Sequence, residues 1–126
     1  MKVSELITLI DGHLLNPSAN IEREIKGGCG ADLMSDVLAS IQPEAVLLTG
    51  LCNPQVIRTS VMADVAAIII VRGKNIPKET LDLAHEEEIA LISSPFGMFE
   101  LAGRLYNAGL PSLEQPVGDG QCDCGD

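Results

Sequence analysis

The chain has 126 residues, enough for one domain with a single core. Its formal net charge is −10 and only eight Lys and Arg residues could meet phosphates, which excludes duplex nucleic acid and anionic membrane surfaces as partners. The aromatics are Phe96, Phe99 and Tyr106, so the core must come from Val, Ile, Leu, Ala and Met, and stacking platforms for single strands are missing. No run reaches the roughly 18–20 apolar residues of a spanning helix. Met1 to Asp11 mixes Lys2 with Glu5 and Asp11, without a small-residue cleavage site, and reads as a helix rather than a signal peptide. A cytoplasmic protein follows, in which the four cysteines are thiols or ligands rather than disulfides.

In chain order, Ser4 can cap a short helix carrying Leu6, Ile7, Leu9 and Ile10, ended by Gly12. Residues 20–26 read as an edge strand, with Ile21 and Ile25 interrupted by Glu22, Arg23 and Glu24, and Gly27-Gly28-Cys29-Gly30 reads as a flexible turn. Asp32 then caps a helix through Leu33, Met34, Val37, Leu38 and Ile41. Ala45 to Thr49 is a continuous apolar run ending at Gly50, the pattern of a strand buried on both faces. Asn53-Pro54 combines a favoured N-cap with proline at the first helical position, and Ile57, Val61 and Val65 recur along one stripe beyond it. Ala66 to Val71 is a second buried strand, closed by Arg72-Gly73-Lys74, and Pro77 opens a helix with Leu81 and Ala84 inward. Ile89 to Ile92 is a third strand. Ser94-Pro95 repeats the cap-then-proline signal, with Phe96, Phe99, Gly103 and Tyr106 marking one helical face, and Gly109 and Pro111 stop that helix. Strand–helix units in succession predict an α/β sandwich of two or three layers, with a mostly parallel sheet and an irregular N-terminal third. The domain is placed at residues 1–110, followed by an acidic, mobile tail over 111–126.

Ligands of an open parallel sheet bind outside the carboxyl ends of its strands. That rule selects Gly50, Cys52, Asn53, Arg72, Lys74 and Ser94 as ligand-binding candidates, with helix N-termini nearby to favour anions. Arg72, Lys74 and Lys78 form the densest basic cluster, though strand ends are commonly polar without binding anything. The glycine run lacks the Lys-Ser/Thr ending of a P-loop and the spacing of a dinucleotide fingerprint. Cys122 and Cys124 share one side of an extended segment, and with Cys29 and Cys52 they could supply four metal ligands. Their spacing matches no standard cluster, so zinc or an iron–sulfur cluster is not expected. His85 sits in an acidic helical run, His13 follows a helix end, and Asp32 with Asp36 alone does not make a Mg²⁺ site. No acid–base constellation for catalysis is visible.

Val3-Ser-Glu-Leu-Ile7, Leu47-Leu-Thr-Gly50, Ala67-Ile-Ile-Ile-Val-Arg-Gly73, Pro77, Leu83-Ala84, Met98-Phe-Glu100 and Gly103-Arg-Leu-Tyr106 together resemble the DRTGG domain family, above all its stand-alone members. The resemblance implies a compact α/β fold like the N-terminal domain of HPr kinase/phosphorylase and the DRTGG insert of CBS-containing pyrophosphatases. It further implies a non-catalytic regulatory and dimerisation role, a homodimer, an adenine nucleotide as possible ligand, and an anaerobic redox setting with a redox-enzyme or kinase partner. The family's signature Gly-Asp-Arg-Thr-Gly-Gly loop is altered here: Gly50 remains, but Leu51-Cys52-Asn53-Pro54 follows it. The leading expectation is a regulatory ligand-binding module. The alternatives are a cysteine-based metal or redox protein and an accessory subunit of a hydrogenase or kinase assembly.

Overall fold

The computed structural model describes residues 1–114 and Pro116. The elements are α1 (Val3–Leu9), β1 (His13–Leu14), β2 (Gly27–Gly30), α2 (Met34–Ser40), β3 (Ala45–Thr49), α3 (Pro54–Met62), β4 (Ala67–Ile70), α4 (Lys78–Glu87), β5 (Ala90–Ser93) and α5 (Met98–Asn107), with a 3₁₀ turn over Val71–Gly73. The sheet has five strands in the order β1-β5-β4-β3-β2. Strands β2 to β5 run parallel in sequential order, in registers that include Gly27 with Ala45, Val46 with Ala67 and Ala67 with Ala90. β1 closes the far edge antiparallel to β5.

Alternation along the strands divides the core in two. Leu47, Ile68, Ile70 and Leu91 point to one face, where Val37 of α2, Val56 and Ile57 of α3 and Ala84 of α4 cover them. Val46, Leu48, Ala67, Ile69 and Ile92 point to the other, beneath Val3 and Leu6 of α1 and Leu101 and Leu105 of α5. The result is a three-layer α/β/α domain. Each central strand is apolar on both faces because helices cover both, which is why Ala45–Thr49 and Ala67–Ile70 read as unbroken apolar runs.

Several local expectations are corrected. The edge strand is not residues 20–26, which turn, but the glycine run 27–30 itself. Residues 110–114 approach this edge so closely that a Cβ on Gly27 would lie 2.5 Å from both Leu113 Cγ and Pro111 O. Asp32 does not cap α2, whose N-cap is Leu33 without a side-chain bond. Nor does Ser4 cap α1, which starts at Val3 behind Lys2, whose N–H donates to the Glu5 carboxylate at 2.8 Å. Pro95 lies in a bend and α5 begins at Met98 behind Gly97. Its buried side is Leu101 and Leu105, whereas Phe99 is 93% and Tyr106 73% exposed, so the aromatic spacing marks the outer face. On α3, Val61 is exposed and Val56, Ile57, Thr59 and Ser60 are buried.

Past Leu110 the chain continues along β2. Gly28 N–H donates to Pro111 O, and Leu113 N–H to Gly28 O, both at 2.9 Å. Gln42 N–H reaches Leu113 O at 3.0 Å, and Gly30 N–H reaches the Glu114 carboxylate at 2.9 Å. The segment therefore straps the outer edge of β2 and occupies donors and acceptors that an edge strand otherwise exposes. Among the described residues, no helix is long and apolar enough to cross a membrane.

Candidate functional site

The carboxyl ends of β3, β4 and β5 open on one side of the sheet, as parallel pairing requires. The six candidate residues collect there in two groups whose polar groups are engaged differently.

At the end of β3, Asp32 reaches over from the β2–α2 connection. Its Oδ1 accepts from the Thr49 hydroxyl at 2.9 Å and from Gly50 N–H at 2.8 Å. The Gly50 N–H bond, helped by Thr49 and the charge of Lys74 against a partial burial cost, holds the Asp32 carboxyl below its ordinary range. Lys74 Nζ donates to Gly50 O at 2.6 Å, and the Thr80 hydroxyl of α4 donates to Cys52 O at 2.7 Å. Asn53 Oδ1 accepts from Val56 N–H at 3.3 Å as the N-cap of α3, with Pro54 at the first helical position as expected. Gly50, Cys52, Asn53 and Lys74 are thus brought together, braced by Asp32 and Thr80. Those two were missed as site residues, Asp32 because a carboxylate two residues ahead of an apolar helix reads locally as a cap.

At the ends of β4 and β5 the arrangement is looser. Arg72 sits in the 3₁₀ turn at φ 67°, in the left-handed region. Its N–H donates to Phe96 O at 2.8 Å, and Gly73 N–H donates to Ser94 O at 2.7 Å, so the two strand ends are stitched through backbone. The Arg72 side chain is exposed and, like that of Arg58 on α3, has no carboxylate partner among the described residues, whereas Lys2, Arg23, Lys26, Lys78 and Arg104 each have one. The turn abuts Gly97, where a Cβ would lie 3.8 Å from Arg72 Cγ, and Gly97 is the N-cap of α5 with no side chain capping it. Uncapped helical N–H groups beside an unpaired guanidinium make a place suited to an anion. A cleft of about 270 Å³ lies next to it, lined by Leu15, Gly73, Lys74 and Ser93 among others. Ser94 is fully buried; its hydroxyl donates to Ile10 O at 2.8 Å and accepts from Phe96 N–H at 3.3 Å, so it shapes the loop from beneath.

The cysteines do not form one group within the described residues. Cys29 is buried in β2 on the α2–α4 face, and Cys52 lies in the loop after β3. Burial first, then the Glu114 carboxylate, pushes the Cys29 thiol up to about 12, which opposes the thiolate a metal needs. Cys122 and Cys124 lie outside the described residues, and among the described residues no three His, Cys, Asp or Glu side chains are grouped to hold a metal. His85 is exposed, with Nδ1 3.1 Å from the Ser18 hydroxyl, and His13 pairs with Ser93 in the sheet.

Fold and site together define a small α/β/α domain with a polar edge at the carboxyl ends of its parallel strands. The DRTGG domain model matches residues 5–108, and the chain belongs to that family. A similar solved structure is that of the CBS and DRTGG domains of the regulatory region of Clostridium perfringens pyrophosphatase, complexed with its activator diadenosine tetraphosphate. The likeness has a TM-score of 0.65 at 17% identity and covers 87% of this chain and 47% of that one, so the chain spans about half its length. No curated protein matches the chain.

Proposed function

We propose that the chain is a non-catalytic regulatory module that binds an anionic small molecule of the adenine nucleotide class where Arg72 meets the amino end of α5. One observation carries this reading. Arg72 is an exposed cation without a carboxylate partner among the described residues, held in a left-handed backbone conformation against an uncapped helix, in a chain of net charge −10. In so acidic a protein, a cation at a helix N-terminus without an ion pair among the described residues, where the first-turn Glu100 is taken by Arg104, is best explained by an anion that it serves. The similar fold in a pyrophosphatase regulatory region, complexed with diadenosine tetraphosphate, supports the ligand class.

The module acts as a homodimer and passes the signal to a redox-enzyme or kinase partner. Phe99, 93% exposed beside the open Gly103 on α5, supports a protein-binding face.

The test is thermal unfolding against AMP, ATP, NAD(H) and diadenosine polyphosphates, with and without Mg²⁺. At a hundred times its dissociation constant, a ligand stabilises the fold by about 2.7 kcal/mol. Arg72→Ala should remove the shift while leaving the unliganded transition in place. A flat response to every compound refutes the sensor. Sedimentation of the wild type and of Phe99→Ser tests the dimer, and a monomeric wild type removes it.

A further inference from the structure

Glycine is a poor strand residue, yet β2 carries it at 28 and again at 30, two positions on the same face. Both face α5: a Cβ on Gly28 would meet Val46 Cγ1 at 3.7 Å, and one on Gly30 would meet the flexible Met98 side chain at 3.3 Å. Neither glycine has a positive φ, so the backbone does not require them. At Gly28 the contacts are ordinary, so packing does not require glycine there either.

What the missing side chains leave is a cleft of about 370 Å³, within the range of small-molecule sites. Its floor is Gly28, Gly30 and Leu48, and one wall is Met98, Ala102, Leu105 and Tyr106 of α5; the other is the strap segment from Leu110 to Glu114. The lining selects by charge. Among the described residues Glu114 is its sole charged side chain, so a phosphate entering the cleft would find no cation among them. The Glu114 carboxylate accepts a bond from Gly30 N–H and lies against the Cys29 thiol, and its remaining lone pairs retain acceptor capacity for a ligand N–H. A flat glycine floor beside the Tyr106 ring suits a planar group.

We propose that this cleft binds a planar heteroaromatic molecule of about nucleoside size, its ring over Gly28 and Gly30 and an amino donor directed at Glu114. The site shares no residue with the Arg72 anion site and has the opposite charge preference, so it stands or falls separately.

Adenosine and inosine are the probes, because inosine has a carbonyl where adenosine carries the amino group. Ligand-observed NMR titration of the full chain should show saturable adenosine binding, at least fivefold weaker inosine binding, and no displacement of adenosine by excess tripolyphosphate. Gly28→Val, compatible with a strand and filling the floor, should weaken adenosine at least tenfold while circular dichroism stays unchanged. Ala102→Leu, on the exposed side of α5, fills the cleft from the α5 wall and should do the same even if the strand variant misfolds. Absence of saturable binding, equal affinity in the folded filled variants, or displacement by tripolyphosphate would each overturn the site. Equal binding of inosine would overturn the role of Glu114. A chain that binds adenosine here yet shows no thermal shift with ATP would retain the cleft and lose the Arg72 sensor.

Discussion

At the end of β3 the polar groups answer one another. Asp32 holds Thr49 and Gly50, Lys74 holds Gly50 O, Thr80 holds Cys52 O, and Asn53 caps its own helix. At the neighbouring ends of β4 and β5 the backbone is equally well tied, but the Arg72 side chain and the first turn of α5 are left facing solvent. Both places obey the rule that sends ligands to the carboxyl ends of parallel strands, and both carry a basic residue. The difference is that the Lys74 side chain holds a loop carbonyl, whereas the Arg72 side chain has no hydrogen-bond or ion-pair partner among the described residues. A basic residue at a strand end becomes informative only when its partners are known.

The largest way to break this comparison is to remove the sheet on which both regions rest. Ile68 is fully buried in the middle of β4, between β3 and β5. Ile68→Ala should cost about 2–5 kcal/mol, measured by urea unfolding, through lost burial and an unfilled cavity. A cost below about 1 kcal/mol would mean that the centre of the sheet is not close-packed.

Next in size is the strap. Gly27→Ala places a methyl group against Leu113 and the Pro111 carbonyl, and should cost about 1–3 kcal/mol while speeding amide exchange at Leu113. Gly28→Ala, one residue on, meets only ordinary contacts and should gain about 0.4–1 kcal/mol by restricting the unfolded chain. Opposite signs at adjacent glycines would be hard to obtain from any other course of residues 111–114.

These glycines also show how far the residues could be read alone. β3, β4 and β5 were legible because two-sided burial leaves unbroken apolar runs, and α3 because Asn53-Pro54 states its start locally. β2 was not, because glycine signals a turn by local preference and only the flanking β3 and strap make it a strand. The aromatic spacing of α5 was real, but Leu101 and Leu105 offer a rival face, and docking on the sheet chose it. Within the site, the positions of Gly50, Asn53, Arg72 and Lys74 followed from the strand–helix alternation. Which of them remain free depended on Asp32 and Thr80, which reach the β3 loop from distant points in the chain and leave no local mark.

The β3 clamp itself predicts a smaller effect with a definite pH dependence. Asp32→Ala removes the acceptor for Thr49 and Gly50 and should cost about 1 kcal/mol near neutral pH. Because the Gly50 N–H bond depresses the folded-state pKa, the contribution is present above the unfolded value, about 3.9, and is lost as pH falls through the folded value. Urea unfolding of wild type and variant from pH 7 downward should therefore show a gap that closes only in that acidic window. A gap independent of pH would assign the effect to something other than the carboxylate.

The smallest stability effect separates the two regions most directly. Asp11, Asp64 and Glu88 take positive φ where helices end and Glu44 does so just before β3, but Arg72 does so inside a 3₁₀ turn between two strand-end loops. A residue with a Cβ is strained there, whereas glycine is not. Arg72→Gly relaxes the turn and keeps the Arg72 N–H bond to Phe96 O available while removing the guanidinium. Stability should be unchanged or higher by up to about 1 kcal/mol, since relief of strain is partly offset by the freer unfolded chain. Nucleotide-dependent stabilisation should disappear. A side chain whose removal leaves the fold intact or improves it, yet abolishes binding, is retained for the ligand. If Arg72→Gly instead destabilised the domain by 1 kcal/mol or more, the guanidinium would be working for the fold as Lys74 does, and the contrast between the two strand ends would vanish.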